Sequence, residues 1–226
     1  MKLFALVALA GIAAVANADV ITQWDFNGTA GTTTPNVGSG TASLVGGTTA
    51  TFANGNANGG STDPNTSASN FGWNITTFAA QGQDSGNRGV QFLVSTLGYT
   101  NIIVTFDQRH SNTSSRFYAG QYTVDGTNWV TATTFEGNAG DTWFNGRTID
   151  LSAVSAANNN ANFGVRVVAV FATGTNAYTA STSTSTYAAT GTARFDMVTV
   201  NGDVIPTPGA VALAGFGGLL AARRRR

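Results

Sequence analysis

The sequence predicts an all-β fold, a single jelly-roll β-sandwich, and three observations carry that reading. About ten short runs rich in Val, Ile, Thr, Phe, Tyr and Trp fill the middle of the chain. Clusters of Gly, Asn, Asp and Ser separate them. No stretch of the body carries a sustained helical apolar period.

Taken in order, Val20 to Phe26 reads as the first strand and stops at Asn27-Gly28. Gly31 to Gly40 is a loop. Thr41 to Val45 and Thr48 to Phe52 read as a hairpin across Gly46-Gly47. Asn54 to Asn70 is Gly-, Asn- and Ser-rich, contains Asp63-Pro64, and is expected to be a long surface loop. Trp73 to Phe78 and Gly89 to Thr96 are further strands. Tyr99 to Gln108 has the strongest pattern, with Ile102, Val104 and Phe106 on one face and Ile103, Thr105 and Asp107 on the other.

Phe117 to Val124 and Trp129 to Phe135 flank a turn at Asp125-Gly126-Thr127-Asn128. Thr142 to Leu151 is a strand, and a short turn or helix follows it as far as Asn158 to Asn160. Phe163 to Phe171 alternates Phe163, Val165, Val167, Ala169 and Phe171 against Arg166, Val168 and Val170. Thr173 to Thr192 is a Thr/Ser/Ala stretch expected to be exposed and poorly ordered. Ala193 to Asn201 closes the body.

The two ends have a different character. Met1-Lys2, the apolar run Leu3 to Val15 and Ala16-Asn17-Ala18 have the layout of a signal peptide over residues 1–18, implying the export machinery and signal peptidase as partners. Residues 204–226 contain Pro206-Thr207-Pro208, then an uncharged run from Gly209 to Ala222, then Arg223, Arg224, Arg225 and Arg226. As a helix that run spans roughly 21 Å, short of a bilayer core of about 30 Å. Arginine snorkelling and local bilayer thinning reduce the mismatch. The arginines are expected on the cytoplasmic side and the body outside, with the C-terminal helix in the membrane.

A Pro-x-Pro element, a short apolar helix and a terminal arginine cluster resemble the PEP-CTERM sorting signal of exported bacterial proteins. The resemblance covers about the last twenty residues, with Thr207 where the family name has Glu. It implies an exosortase-like transpeptidase as partner, transient membrane retention, and release or attachment at the cell surface.

The body, residues 19–203, is similar to secreted bacterial jelly-roll modules in a second set of residues. These are Trp24-Asp-Phe-Asn27, Val104 to Arg109, the hairpin Tyr122 to Trp129, Val165 to Val168, and Ala193 to Val198. Such modules often carry an S-x-D-G-x-x-W hairpin and a closing F-D-N-V strand; Thr123 and Met197 replace the Ser and the Asn here.

Charge and composition narrow the function classes. The chain has 226 residues and no cysteine, which excludes thiol nucleophiles and thiolate metal sites. Outside the two ends, six arginines stand against eleven acidic residues, a net charge of −5, and no lysine is present. That balance argues against nucleic acid as a partner. Glu136 is the only glutamate and His110 the only histidine. No glycosidase-like carboxylate pair stands out, and a multi-histidine metal site is excluded. His110 is expected to be an exposed residue at a strand end.

No catalytic residue is assigned. Asp25 in the first strand and Asp196 in the last are candidate ligands of a structural Ca²⁺, because these strands are neighbours in jelly rolls and calcium takes six to eight oxygens. Sugar rings stack on flat aromatic faces, which makes Tyr118, Tyr122, Trp129, Trp143, Tyr178 and Tyr187 candidate ligand-binding residues. Trp73 shares that chemistry. The leading expectation is an exported, non-enzymatic surface or matrix protein with a structural or adhesive role. The alternative is a carbohydrate-binding module for extracellular polysaccharide.

Overall fold

The computed structural model describes residues 18–206. The signal-peptide run and the sorting tail from Thr207 onward lie outside the described residues. Eleven strands form the body: β1 (Asp19–Trp24), β2 (Thr41–Val45), β3 (Thr49–Asn54), β4 (Phe71–Thr76), β5 (Gly89–Leu93), β6 (Tyr99–His110), β7 (Phe117–Thr123), β8 (Val130–Glu136), β9 (Thr142–Asp150), β10 (Gly164–Val170) and β11 (Ala193–Val204). The only helical turns among the described residues are two three-residue 3-10 turns, Ala57–Gly59 and Ser155–Ala157. No described helix is long and apolar enough to cross a membrane.

Two antiparallel sheets face each other. One runs β3-β4-β11-β6-β9, with β1 also pairing β11; the other runs β2-β5-β10-β7-β8. The pairing is nested. The β7/β8 hairpin is innermost, then β6 with β9, β5 with β10, and β4 with β11. This wrapping of successive pairs around one hairpin is the jelly roll that the sequence predicts.

The alternation read from the sequence sorts the core. Ile102, Val104 and Phe106 of β6 and Val165, Val167 and Ala169 of β10 are buried between the sheets. Trp24, Phe26, Trp73 and Phe92 pack there as an aromatic cluster with ring centroids 5.0–6.5 Å apart. Edge and offset contacts at such distances add stabilisation beyond area burial.

Three sequence expectations need correction. Thr41 to Val45 and the run after Gly46-Gly47 are strands, but they do not pair with each other. β2 pairs β5 and β3 pairs β4, so the two lie in different sheets. Gly46 and Gly47 have φ of 70° and 82°, and a Cβ on Gly46 would lie 2.0 Å from the Asn87 carbonyl oxygen. The glycines therefore turn the chain across the sandwich rather than closing a hairpin.

His110 is fully buried, not exposed. β6 extends two residues past Gln108 and carries the ring between the sheets, edge-on to Tyr118 and Phe144. Its Nδ1 lies 3.0 Å from the Ser115 carbonyl oxygen. Gly137 passes so close that a Cβ there would meet the imidazole at 2.4 Å. Burial, reinforced by the Arg147 charge, pushes the His110 pKa down to about 3. Arg147 itself is wedged between Phe135 and Phe144 and donates to Gln108 Oε1 and the Glu136 carbonyl oxygen.

The Thr/Ser/Ala stretch before β11 is a loop, as expected, but it is packed. Tyr178 and Tyr187 stack at 4.6 Å and are buried. Their hydroxyls donate to the Gln83 and Ala79 carbonyl oxygens. The aromatic rings hold a stretch whose composition alone would leave it loose.

Candidate functional site

The outer faces of the two sheets differ. On the six-stranded sheet, the 54–70 loop covers the centre. Trp143 Nε1 of β9 donates to the Ala57 carbonyl oxygen at 2.9 Å, and Asn145 Nδ2 to that of Gly60 at 3.1 Å. Arg109 of β6 reaches Asn58 Oδ1, and Arg194 of β11 reaches the Asn54 carbonyl oxygen.

On the five-stranded sheet, one row of side chains crosses all five strands uncovered. The register places Ser43 of β2 beside Gln91 of β5, Gln91 beside Arg166 of β10, Arg166 beside Gln121 of β7, and Gln121 beside Thr131 of β8. The neighbours Val165 and Val167 point into the core, so strand alternation turns Arg166 outward. At about 4.8 Å per strand the row extends roughly 19 Å. Four of its members are half-buried and Thr131 is exposed.

These side chains are connected. Arg166 Nε donates to Gln121 Oε1 at 2.5 Å, and Gln121 Nε2 donates to Thr131 Oγ1 at 3.0 Å. The Arg166 guanidinium lies over the Trp129 ring, 4.6 Å from its centroid. Partial burial lowers the Arg166 pKa, yet an arginine stays charged under ordinary conditions. The Asp125 turn positions Trp129. Its carboxylate accepts hydrogen bonds from Thr127 N, Asn128 N and Asn128 Nδ2, and those of Asn128 hold its pKa far below the usual carboxylate range.

At the end of the sheet where the chain leaves β5 and enters β10 lies a hollow of about 210 Å³ lined by Leu93, Ser95, Gly126, Ala161, Asn162 and Phe163, among others. Gly164 has no Cβ, and Leu93 leans across the space a Cβ would fill, 2.6 Å from that point. The row combines planar amide and guanidinium donors, hydroxyls and an indole. It can hydrogen-bond and stack against a flat polyhydroxylated ligand.

Of the six aromatic candidates, the structure brings only Trp129 to this face. Tyr118, Trp143, Tyr178 and Tyr187 are buried. Tyr118 is in the core, where burial raises its pKa. Trp143 lies under the 54–70 loop. Tyr122 is half-buried against the core. Trp73 is core as well. Sequence reasoning missed Gln91, Gln121 and Arg166, although the outward parity of Arg166 within β10 was a usable signal.

The two calcium candidates have different surroundings. Asp25 Oδ1 accepts the Asn27 N–H, an Asx turn that ends β1. Asp196 is fully buried; its Oδ2 accepts from Ser61 Oγ and its Oδ1 from Met197 N. Its acidic neighbours are Asp63 and Asp107, not Asp25. Among the described residues no three histidine or acidic side chains form a ready metal-binding group.

No family model matches the sequence, and no curated protein matches it. Solved structures resemble the fold distantly. The chain aligns with the CBM22-1 xylan-binding domain of Xyn10C from Paenibacillus barcinonensis at 10% identity, over 85% of this chain and all of that one, with a TM-score of 0.46. It aligns with the tandem CBM22-1–CBM22-2 domain of the same enzyme at 12% identity and a TM-score of 0.46, over 87% of this chain and 49% of that one. The chain thus spans about half the length of that tandem. A further xylan-binding domain from CBM22 aligns at 11% identity over 74% of this chain and 89% of that one, with a TM-score of 0.39.

Proposed function

We propose that the body is a non-catalytic carbohydrate-binding module whose ligand lies across the outer face of the five-stranded sheet. The single observation that carries this reading is the row Ser43, Gln91, Arg166, Gln121 and Thr131, with Trp129 stacked on Arg166. A purely structural or adhesive role does not account for five strands contributing hydrogen-bonding side chains to one uncovered line while the opposite sheet is roofed over. Arg166 and the two glutamines donate to and accept from sugar hydroxyls, and Trp129 offers a face for a pyranose ring.

The same proposal places the module outside the cell, with the sorting tail holding it at the membrane until an exosortase-like enzyme acts. Two sequence features support this: Ala16-Asn17-Ala18 at the end of the leader, and Pro206-Thr207-Pro208 ahead of the apolar run and Arg223 to Arg226. Extracellular polysaccharide is then the partner within reach.

The binding test is a glycan array followed by affinity electrophoresis in soluble polysaccharides. At least one polysaccharide is expected to retard the protein, and Arg166→Ala is expected to reduce the retardation by weakening binding about tenfold or more. Equal mobility of both proteins in every glycan would remove the reading. Mass spectrometry of the protein recovered from its native host tests the processing. The expected ends are Asp19 and a residue near Pro208.

A further inference from the structure

The 54–70 loop rests on an arrangement that the glycan face does not explain. Asp107 of β6 and Asp196 of β11 are direct cross-strand partners, and both are buried. Like charges directly opposite one another in a sheet repel, and low polarity strengthens the repulsion. Neither carboxylate has an ion-pair partner among the described residues. The nearest cations are engaged elsewhere: Arg109 pairs with Asp141, and Arg194 donates to the Asn54 carbonyl oxygen and to Asn74 Oδ1. Asp63, on the loop itself, adds a third negative group near Asp196.

A separate observation is Asn70. It is fully buried, and its Oδ1 has no hydrogen-bond donor. Its Nδ2 is held by Asn56 Oδ1 and the Asn65 carbonyl oxygen, which fixes the orientation of the amide. Asn70 Oδ1 and Asp196 Oδ2 both pack against Gly55. A Cβ built there would lie 1.8 Å from the first and 3.0 Å from the second. A buried acceptor with no donor, set near a buried carboxylate that has no counter-charge, calls for a further partner such as an ion.

We propose that Asp196, Asp107 and the Asn70 side-chain oxygen bind one divalent cation, Ca²⁺ by its chemistry, which fastens the 54–70 loop to the six-stranded sheet. The donors are all hard oxygens, and cysteine and histidine are absent from the site, which disfavours zinc and copper. Each carboxylate already accepts hydrogen bonds, Asp196 two, from Ser61 Oγ and Met197 N, and Asp107 three, from Thr62 N, Thr62 Oγ1 and Gly146 N. A carboxylate has about four lone-pair sites, so both keep capacity for a metal. A shell of carboxylate and amide oxygens suits the irregular coordination of calcium better than the strict octahedron of magnesium. Asp196 belongs to the site as the sequence suggests; its partner is Asp107, and Asp25 is not involved.

The test is a calcium titration of the full chain after chelator treatment, read by calorimetry and by melting temperature at pH 7.5. One ion per chain is expected, with a Tm rise of about 5–10 °C at a hundredfold excess over the dissociation constant. Asp196→Asn is expected to lose the response while melting, without calcium, no lower than the chelated wild type. Asp25→Asn is expected to keep it. No heat and no Tm change with calcium would overturn the site. So would a calcium response that survives Asp196→Asn. A Tm indifferent to calcium that climbs as pH falls from 9 to 6 would mean that a shared proton, not a metal, satisfies the pair.

Discussion

The two sheets are built from the same residue types and have the same inner lining, yet their outer faces diverge. β9, β6 and β11 present Trp143, Asp107, Arg109, Asp196 and Arg194 outward, and a seventeen-residue stretch lies over them. β5, β10 and β7 present Gln91, Arg166 and Gln121, and this row is left uncovered. The lesson is that a sheet face is roofed over or left open according to what the connections do. β3 and β4 are joined by a long loop that folds back over its own sheet. β7 and β8 are joined by a tight Asp125-Gly126 turn that cannot reach across its sheet, so the face stays open.

That contrast can be broken at several points. Trp143→Ala on the roofed face removes a buried indole and its bond to Ala57, and should cost about 3 kcal/mol. Chemical denaturation measures this, and a loss under about 1 kcal/mol would show that the loop contributes little to the fold. Gly55→Ala drives a Cβ into Asn70 Oδ1 and should cost about 1–3 kcal/mol, with faster proteolysis within residues 54–70.

Acid tests the interior that both faces share. His110 is neutral in the fold with its pKa near 3, against about 6.5 when unfolded. Between these values the unfolded state binds the extra proton, so the His110 contribution is complete above about pH 6.5 and is lost as pH falls toward 3. The slope is about 1.4 kcal/mol per pH unit within that window. His110→Gln, if it folds, should flatten that part of the stability–pH curve.

The smallest expected stability effects belong to the open face. Arg166→Ala and Trp129→Ala should each change stability by less than about 1 kcal/mol, because neither side chain is core. Each should nevertheless weaken glycan binding about tenfold or more. Comparable losses of stability and binding would mean that the row is structural, and the distinction between the two faces would disappear.

Most strands were legible in the sequence because period-two burial leaves a direct trace. Ile102, Val104 and Phe106 read as a core face and are one. The β7/β8 turn was legible because Asp-Gly-Thr-Asn is a turn by its local hydrogen bonding alone. The candidate site was much less legible. Aromaticity was the signal, and a sandwich uses most of its aromatics as core, so Tyr118, Tyr178 and Tyr187 went inside. Gln91 and Gln121 carry no individual signal; they become a site only when registered on either side of Arg166.

By itself the sequence determined what depends on neighbours along the chain: the strands, the β7/β8 turn, the net charge, and the absence of thiol and multi-histidine chemistry. Tertiary structure alone decided which strands share a sheet, that Gly46-Gly47 crosses the sandwich, that His110 is buried, and that Asp196 faces Asp107 rather than Asp25. The physical reason is that strand pairing joins residues far apart in the chain, and no local pattern encodes the register that makes them neighbours.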